Sequence, residues 1–382
     1  MFIDWLRLSQ TFDHDLPTVC DVYSLTIDAN THEILSTKQP KFQHRGSHCS
    51  SITINIQGRK LTVDGNPSRI NRLDNLFGFT TIQQCVNVYN ALLAEYGLPG
   101  FTRCTVVQQC QVKGMRGKFD QALIADGATI ERIDLTTNAS LGKDNVLAFL
   151  RGVSTQSIGH SVGFLYPNGR TCVWTPEGNG EGGRLQYRKL YDKAFEMASK
   201  KGVLPKVKRL HGETSAEYAY VKRIHDYCLS NGICRFEQEL KSELLKRKGL
   251  CFWGLFDEGQ FAQLHDEFLK VDDRLKVTAM DIVTIAQQLI DEGVVTSTYA
   301  ANITAMYAIN WANKQTFDFT KSQTKTHRAR LRRIGLDIAR PYDNTRSATV
   351  IVREAREVTK SFDIQPPAWY RMPESRPLRL VA

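Results

Sequence analysis

The sequence lacks the features that define membrane, secreted and zinc-ribbon proteins. No stretch approaches the roughly 20 apolar residues that span a bilayer. The N-terminus has no basic flank followed by an apolar segment, so no signal peptide is expected. The nine cysteines include no C-x-x-C pair, which argues against a zinc ribbon or a dithiol redox motif. We therefore expect a cytosolic protein whose cysteines are reduced.

The composition is that of a globular protein with an excess of basic residues. The chain has 382 residues, of which 42% are hydrophobic and 24% charged, and a net charge of +10. Residues 188–209 carry 8 Lys and Arg against 2 Asp and Glu, and residues 314–360 carry 12 against 5. Two dense basic tracts indicate a polyanion partner, most simply nucleic acid. Each tract alone is equally consistent with a solvated helix face.

The first 240 residues have strand patterns interrupted by a few helices. Alternation of polar and apolar residues predicts strands over 51–56, 60–64, 129–136, 161–166, 171–175, 185–192 and 233–240. Apolar residues at helical spacing predict a helix over 81–96, which Gly97 can end, and another from residue 146. The glycine-rich, acidic residues 178–183 predict a loop.

The pattern changes after the charged stretch 241–248. Helical spacing predicts helices over 261–270, 278–291 and 300–314, and a basic helix over 322–334. We therefore predict an α+β fold: an antiparallel sheet domain over residues 1–241, followed by a mostly helical domain over 242–382.

Tyr191 lies in a basic segment that suits attack on a phosphodiester. The pKa of an unperturbed phenol is about 10, and nearby cations such as Lys193, or a metal, would favour the phenolate and stabilise a pentacoordinate transition state. Tyr187, four residues earlier, competes for the same role. The simpler interpretation is an ordinary surface tyrosine.

Two carboxylates lie within strand patterns, and each follows an arginine two positions earlier on the same face. They are Asp134 after Arg132 and Glu237 after Arg235. Together they could hold Mg²⁺ or Mn²⁺ through oxygen ligands, or form two salt bridges with the arginines. His44 and His48 precede a strand, and either could ligate a metal or belong to a solvated loop.

Several short blocks follow one another in a fixed order along the chain. They are Gly65-Asn-Pro-Ser, Asn75-Leu-Phe-Gly, Arg132-Ile-Asp, Trp174, Tyr191-x-Lys193-x-x-Glu196, Cys234-Arg-Phe-Glu and Pro367-Ala-Trp-Tyr-Arg-Met-Pro. In this order they resemble the motifs of the replication-initiation endonucleases of filamentous phages, the gene II/X family of rolling-circle initiators. The matches span residues 48–373, so the resemblance covers nearly the whole chain.

The resemblance implies a nickase with strand-joining activity, related to the His-hydrophobe-His (HUH) endonucleases. Such an enzyme cuts one strand of the duplex origin, stays joined to the 5′ phosphate through tyrosine and later closes the displaced circle. By this resemblance Tyr191 is the nucleophile and Lys193 orients or stabilises the phosphate. Asp134, Glu237 and His48 would surround Mg²⁺ or Mn²⁺.

The chain departs from the family pattern at two places. Asp74 stands where the family has a histidine. The two-histidine motif with one intervening residue is absent, because His44 and His48 are too far apart. The role of Glu196, as a ligand or a structural partner, is left open.

The resemblance and the basic tracts together predict a set of DNA contacts. The predicted DNA-binding residues are Arg188, Lys325, Arg328, Arg330, Arg332 and Arg333. The expected partners are the duplex phage origin, single-stranded DNA, and the host helicase and polymerase, in the bacterial cytoplasm, with an oligomer possible at the origin. Met280 is a candidate internal start of translation.

Two other functions fit the same sequence. A non-catalytic DNA-binding or regulatory protein would use the basic tracts alone, and a plasmid relaxase would share nearly the same chemistry. An enzyme requires Tyr191, Asp134 and Glu237 to converge, whereas a binding protein allows them to disperse.

Overall fold

Ten strands form one antiparallel sheet at the centre of the protein. A computed structural model describes residues 1–19, 24–38, 41–45, 51–113, 119–272, 282–342, 358 and 360–375. The strand order is β10-β11-β12-β13-β14-β9-β1-β6-β5-β4, and two further hairpins pair β2 with β3 and β7 with β8. The strands are β1 (Phe2–Thr11), β2 (Ser24–Ile27), β3 (Ile34–Lys38), β4 (Phe42–Arg45), β5 (Ser51–Gln57), β6 (Lys60–Gly65), β7 (Val107–Lys113), β8 (Phe119–Ala125), β9 (Thr129–Ser140), β10 (Ser157–Ile158), β11 (Ser161–Leu165), β12 (Thr171–Thr175), β13 (Gln186–Asp192) and β14 (Ile233–Lys241).

Helices cover the sheet or follow it in the chain. The helices are α1 (Ile82–Glu95), α2 (Val146–Val153), α3 (Lys193–Ala198), α4 (Val203–His211), α5 (Ala216–Asn231), α6 (Ser242–Arg247), α7 (Gly259–Leu269), α8 (Ile282–Asp291), α9 (Thr298–Ala312) and α10 (Ser322–Arg333). Within the described ranges, no helix is both long and apolar enough to cross a bilayer.

The alternating sequence of the central strands separates an apolar face from a polar face. On β9, Ile133 and Leu135 are buried in a core with α1, whereas Arg132 and Asp134 point to the opposite side. On β14, Phe236 packs in a second core with α2 and α7, whereas Glu237 lies on the polar face. The functional side chains predicted on these strands therefore share one face.

A glycine fixes the entry into β14, the strand that carries Glu237. Gly232 ends α5 with a φ of 57°, a left-handed conformation that glycine adopts without strain. A Cβ at this position would lie 2.0 Å from the carbonyl oxygen of Gly142. Any other residue would therefore move α5 or β14.

The C-terminal tail returns to the sheet. Ser361 bridges to Ser140 on β9, and Tyr370 packs in a core with α3 and α5. Residues 244–261 pack beneath the sheet through Leu245 and Phe261, while α8, α9 and α10 form a separate apolar core. The predicted domain division at residue 241 stays a prediction, but side chains on both sides of it share the sheet core.

The α+β architecture with an antiparallel sheet and later helices is confirmed. The strands predicted at 51–56, 129–136 and 233–240 and the helix predicted at 81–96 are all present. Thr81 and Gln84 begin that helix with a capping box. The helix predicted over 278–291 is described only from Ile282, and Met280 lies outside the described residues. Strand β1 and helices α3, α4 and α5 were not predicted.

Candidate active site

Strands β9, β13 and β14 bring the predicted tyrosine and carboxylates onto the polar face of the sheet. In the register of β13 and β14, Lys189 lies opposite Glu237 and Tyr191 lies opposite Arg235. On the other side of β14, Thr136 of β9 lies opposite Glu237, so that Asp134 is two residues further along the same face. Tyr191, Glu237 and Asp134 therefore belong to one cluster.

The hydroxyl of Tyr191 donates a hydrogen bond to Glu237 Oε2 at 3.0 Å. Lys189 Nζ lies 2.7 Å from the other oxygen of the same carboxylate. Burial alone would raise the pKa of Glu237, but the Lys189 ammonium and the Arg235 guanidinium outweigh it and bring this pKa below its usual range. Glu237 is thus a carboxylate at neutral pH that can accept the phenol proton.

The surroundings of Tyr191 favour the neutral phenol. Burial, followed by the negative charge of Glu237, raises its pKa well above 10, and Arg235 only partly opposes this. The expectation that neighbouring cations favour the phenolate is therefore wrong for the free protein. A phenol in this state can act as a nucleophile only if its proton leaves during the attack, and Glu237 lies within hydrogen-bond distance to receive it.

Lys193 donates hydrogen bonds to residues other than Tyr191 and fastens another segment. Its side chain is buried, and Nζ donates to Asn75 Oδ1 at 3.1 Å and to Glu196 Oε2 at 2.7 Å. Asn75 in turn donates to Asp4 Oδ1 at 3.0 Å. Glu196 is a partner of Lys193 in this structure, and the contacts of Lys193 indicate a positioning role for it.

Asp134 is engaged by Arg132 through two hydrogen bonds of 2.8 and 2.6 Å. Burial, together with the charges of Glu237 and Glu239, raises the pKa of Asp134 to about 7 despite this arginine. One of the two salt bridges considered from the sequence is therefore present. The second is not, because Glu237 pairs with Lys189 and not with Arg235.

Two of the three proposed metal ligands, Asp134 and Glu237, lie within the described residues. His48 lies outside the described residues, and His44 lies on β4 at the sheet edge, with Nδ1 2.8 Å from the Tyr96 hydroxyl. In the part of the chain that is described, no group of three or more His, Cys, Asp or Glu side chains is arranged to hold a metal ion. Asp134 and Glu237 supply two carboxylates, and the magnesium or manganese site stays a prediction.

Asp74 anchors the C-terminal tail. Its carboxylate accepts hydrogen bonds from the Tyr370 hydroxyl and from the backbone N–H of Leu76. Arg72 also reaches the Tyr370 hydroxyl at 2.7 Å. Two distant sequence blocks, one before helix α1 and one in the C-terminal tail, thus meet beside the site, a contact that spacing could not have predicted.

One predicted DNA contact is buried in the structure. Arg188 lies on the apolar face and pairs with Glu267 of α7 at 2.7 Å, so the geometry does not support its predicted contact with DNA. Arg328 is partly exposed and pairs with Asp337 at 2.7 Å, and its contact with DNA stays a prediction. Tyr187, the competing nucleophile, donates its hydroxyl hydrogen to the Gly180 carbonyl at 2.9 Å.

The basic helix α10 presents several cations to solvent. Lys325, Arg332 and Arg333 are exposed, and Arg330 is half-buried. His327, on the opposite side, is buried between Thr304 and Tyr307 of α9. The helix is therefore held by its apolar side, while its charged side is free to meet phosphates.

Comparisons with known proteins match both parts of the chain to one family of phage replication-associated proteins, the gene II type. Residues 1–259 match the model of the family's N-terminal part, and residues 289–376 match the model of its C-terminal part. The replication-associated protein of this type from Escherichia phage If1 is 44% identical over 324 residues, covering 84% of this chain and 98% of that protein. No solved structure matches, so the relation to HUH endonucleases rests on the sequence resemblance alone.

Proposed function

Because the chain belongs to the gene II family of phage replication-associated proteins, we propose that it initiates rolling-circle replication by nicking one strand of a duplex phage origin. Tyr191 is the proposed nucleophile, and the product is a 5′-phosphotyrosine adduct with a free 3′-OH. A later attack by a DNA 3′-OH on this ester closes the displaced strand into a circle. The phosphotyrosine bond conserves the energy of the cut ester, so resealing needs no nucleotide cofactor.

The hydrogen bond between Tyr191 and Glu237 carries this proposal. As the phenol oxygen attacks phosphorus, its proton passes to Glu237, which is ionised and lies 3.0 Å away. Lys189 holds the carboxylate from its other oxygen. A positioned proton acceptor of this kind contributes on the order of 10²–10⁴-fold to a rate.

The proposed metal is Mg²⁺ or Mn²⁺, which would act as a Lewis acid on the scissile phosphate when bound. Asp134 and Glu237 would supply oxygen ligands, together with His48. The contacts of the described residues also fit roles without a metal, since each carboxylate has a cationic partner. Proton transfer from Tyr191 to Glu237 involves only residues of this chain.

We further propose that α10 contacts the DNA backbone or a groove through Lys325, Arg332 and Arg333, with Arg330 beside them. The duplex origin and the displaced single strand are the proposed ligands, and the host helicase and polymerase are the proposed protein partners, in the bacterial cytoplasm. A non-catalytic DNA-binding protein has no need for a half-buried phenol hydrogen-bonded to a buried carboxylate, so the enzyme is favoured.

Nicking of a supercoiled plasmid carrying the phage's own origin tests this function. The wild-type protein should yield open circles and a covalent protein–DNA adduct that survives denaturing electrophoresis. Tyr191→Phe should yield neither, while Tyr187→Phe, matched on the same strand and face, should retain both. An adduct formed by Tyr191→Phe would instead assign the nucleophile to another residue.

A further inference from the structure

Arg235 is a buried cation whose only part in the reaction so far is to help Lys189 keep Glu237 ionised. Its side chain is 0% exposed and lies on β14, directly opposite Tyr191 on β13. Among the described residues, no Asp or Glu forms an ion pair with this guanidinium, whereas the buried Lys193 pairs with Glu196. Arg235 differs from Lys193 in this respect.

The partners of Arg235 are all neutral. Nε donates to Asn138 Oδ1 at 2.9 Å, and Nη2 donates to the carbonyl oxygens of Asn75 and Leu76 at 2.7 and 2.9 Å. Nη1 is buried and has no hydrogen-bond partner in the part of the chain that is described. The guanidinium is thus firmly held while one of its nitrogens is left unsatisfied.

Such an arrangement is costly unless something offsets it. An ionised group out of contact with water needs a compensating charge or a full set of hydrogen bonds. A buried donor without a partner calls for an explanation, and a catalytic role is one of the recognised explanations. Because neutral groups hold Arg235, its positive charge stays available to negative charge that develops nearby.

A purely structural role explains only part of this geometry. The bonds to Asn75 and Leu76 fasten that segment to the sheet, as Asn138 also does through its own bond to the Leu76 carbonyl at 2.7 Å. A neutral donor could supply the same bonds. Neither the positive charge nor the unsatisfied Nη1 is needed for that purpose.

We propose that Arg235 is a charge-stabilising residue of the strand transfer, which supplies positive charge beside Tyr191 as the phosphoryl group passes from O3′ to the Tyr191 oxygen. The inference rests on the proposed function. In that step the bond from Tyr191 Oη to phosphorus forms and the bond from phosphorus to O3′ breaks. The phenol proton passes to Glu237, and O3′ leaves as a hydroxyl after taking one proton from Glu237 or from solvent. The negative charge that concentrates on the phosphoryl oxygens in between is what Arg235 attracts.

Two substitutions separate charge from hydrogen bonding. Arg235→Gln keeps an amide donor but removes the charge. Arg235→Lys keeps the charge but loses the planar guanidinium with its several N–H donors. Asn138→Ala is the structural control, because it weakens the anchorage of Arg235 and of Leu76 without changing any charge. The full-length variants are compared by single-turnover adduct formation on an origin oligonucleotide, by affinity for the uncut origin and by thermal unfolding.

The proposal predicts that Arg235→Gln slows adduct formation by about 100-fold or more at saturating DNA, with little change in origin affinity. Arg235→Lys should recover at least tenfold of this loss, and Asn138→Ala should react nearly as fast as the wild type. Equal rates for the Gln and Lys variants, or losses that follow the unfolding temperature in all three variants, would overturn it.

The same experiment keeps this inference separate from the proposed function. If the wild-type protein forms no adduct that depends on Tyr191, the nicking function itself fails. If the adduct forms but Arg235→Gln reacts as fast as the wild type, only the role of Arg235 fails. Should Arg235→Gln not fold, the Lys variant and Asn138→Ala still decide: loss of activity in both, with folding intact, would contradict a role based on charge.

Discussion

Tyr191 and Glu237 lie on neighbouring strands, and the phenol of one donates a hydrogen bond of 3.0 Å to the carboxylate of the other. Burial keeps the phenol protonated, while Lys189 and Arg235 keep the carboxylate ionised. The two groups are therefore in the protonation states that a nucleophile and its proton acceptor need before the reaction begins.

Replacement of Glu237 tests this pairing. Glu237→Gln keeps a hydrogen-bond acceptor for Tyr191 but removes the proton acceptor, so the nicking rate should fall by about 10²–10⁴-fold while origin binding is retained. Single-turnover nicking measures the effect. Glu239→Gln, two residues along the same face, is the matched control and should nick at nearly the wild-type rate. Equal rates for the two variants would remove Glu237 from the reaction.

Period-two alternation identified the site-bearing strands because each has one apolar and one polar face. Alternation on 129–136 and 233–240 correctly placed Asp134 and Glu237 within strands, on the side opposite the core. What the sequence could not give is the cross-strand register. The salt-bridge alternative places the partner of Glu237 two residues earlier on its own strand, at Arg235, whereas the partner is Lys189 on β13.

The residues that sequence reasoning missed are mostly brought in by distant segments. Asp4 lies on β1, which was not predicted, and Asn75 lies in a loop between strand and helix. Lys189 lies in the basic tract 188–209, and Arg235 lies in the block Cys234-Arg-Phe-Glu. Their roles follow only from the residues that they face across neighbouring strands. His327 lies within the helix predicted over 322–334, and its position four residues before Leu331 places both on the buried side of that helix.

The exposed cations of α10 should contribute affinity that depends on salt. Arg332→Ala with Arg333→Ala should weaken origin binding and reduce the magnitude of the log–log salt slope by about 2, if each arginine contacts one phosphate. Lys200→Ala with Lys201→Ala removes an equally exposed adjacent pair and should change the slope less. Fluorescence anisotropy over a salt series measures both. Identical slopes for the two double variants would mean that net charge, and not α10, sets the affinity.

His327 makes the stability of the α9–α10 pair depend on pH. Burial, with a smaller effect of Arg330, lowers its pKa from 6.5 to about 4. Between these values the unfolded chain binds more protons, so stability is lost as the pH falls from 6.5 towards 4, by at most about 1.4 kcal/mol for each pH unit. Denaturant unfolding of the wild type and of His327→Asn, which cannot titrate, should differ in slope across this range. Parallel pH dependences would show that folding does not lower the pKa of His327.

Chelation tests the predicted metal. EDTA should stop adduct formation, and added Mg²⁺ or Mn²⁺ should restore it, because the scissile phosphate would lose its Lewis acid. Binding to the origin, followed by gel mobility shift in the same buffers, should persist, since it depends on Lys and Arg. Nicking at an undiminished rate in EDTA would contradict the predicted metal site. Asp134 would then be only the ion-pair partner of Arg132.

The most direct test is to locate the DNA-linked amino acid. The wild-type protein is reacted with an origin oligonucleotide labelled at the scissile phosphate, the adduct is digested with nuclease and protease, and the labelled peptide is sequenced by mass spectrometry. The label should be recovered as phosphotyrosine at Tyr191. Recovery at any other residue, or a nick whose 5′ phosphate carries no peptide, would contradict the account.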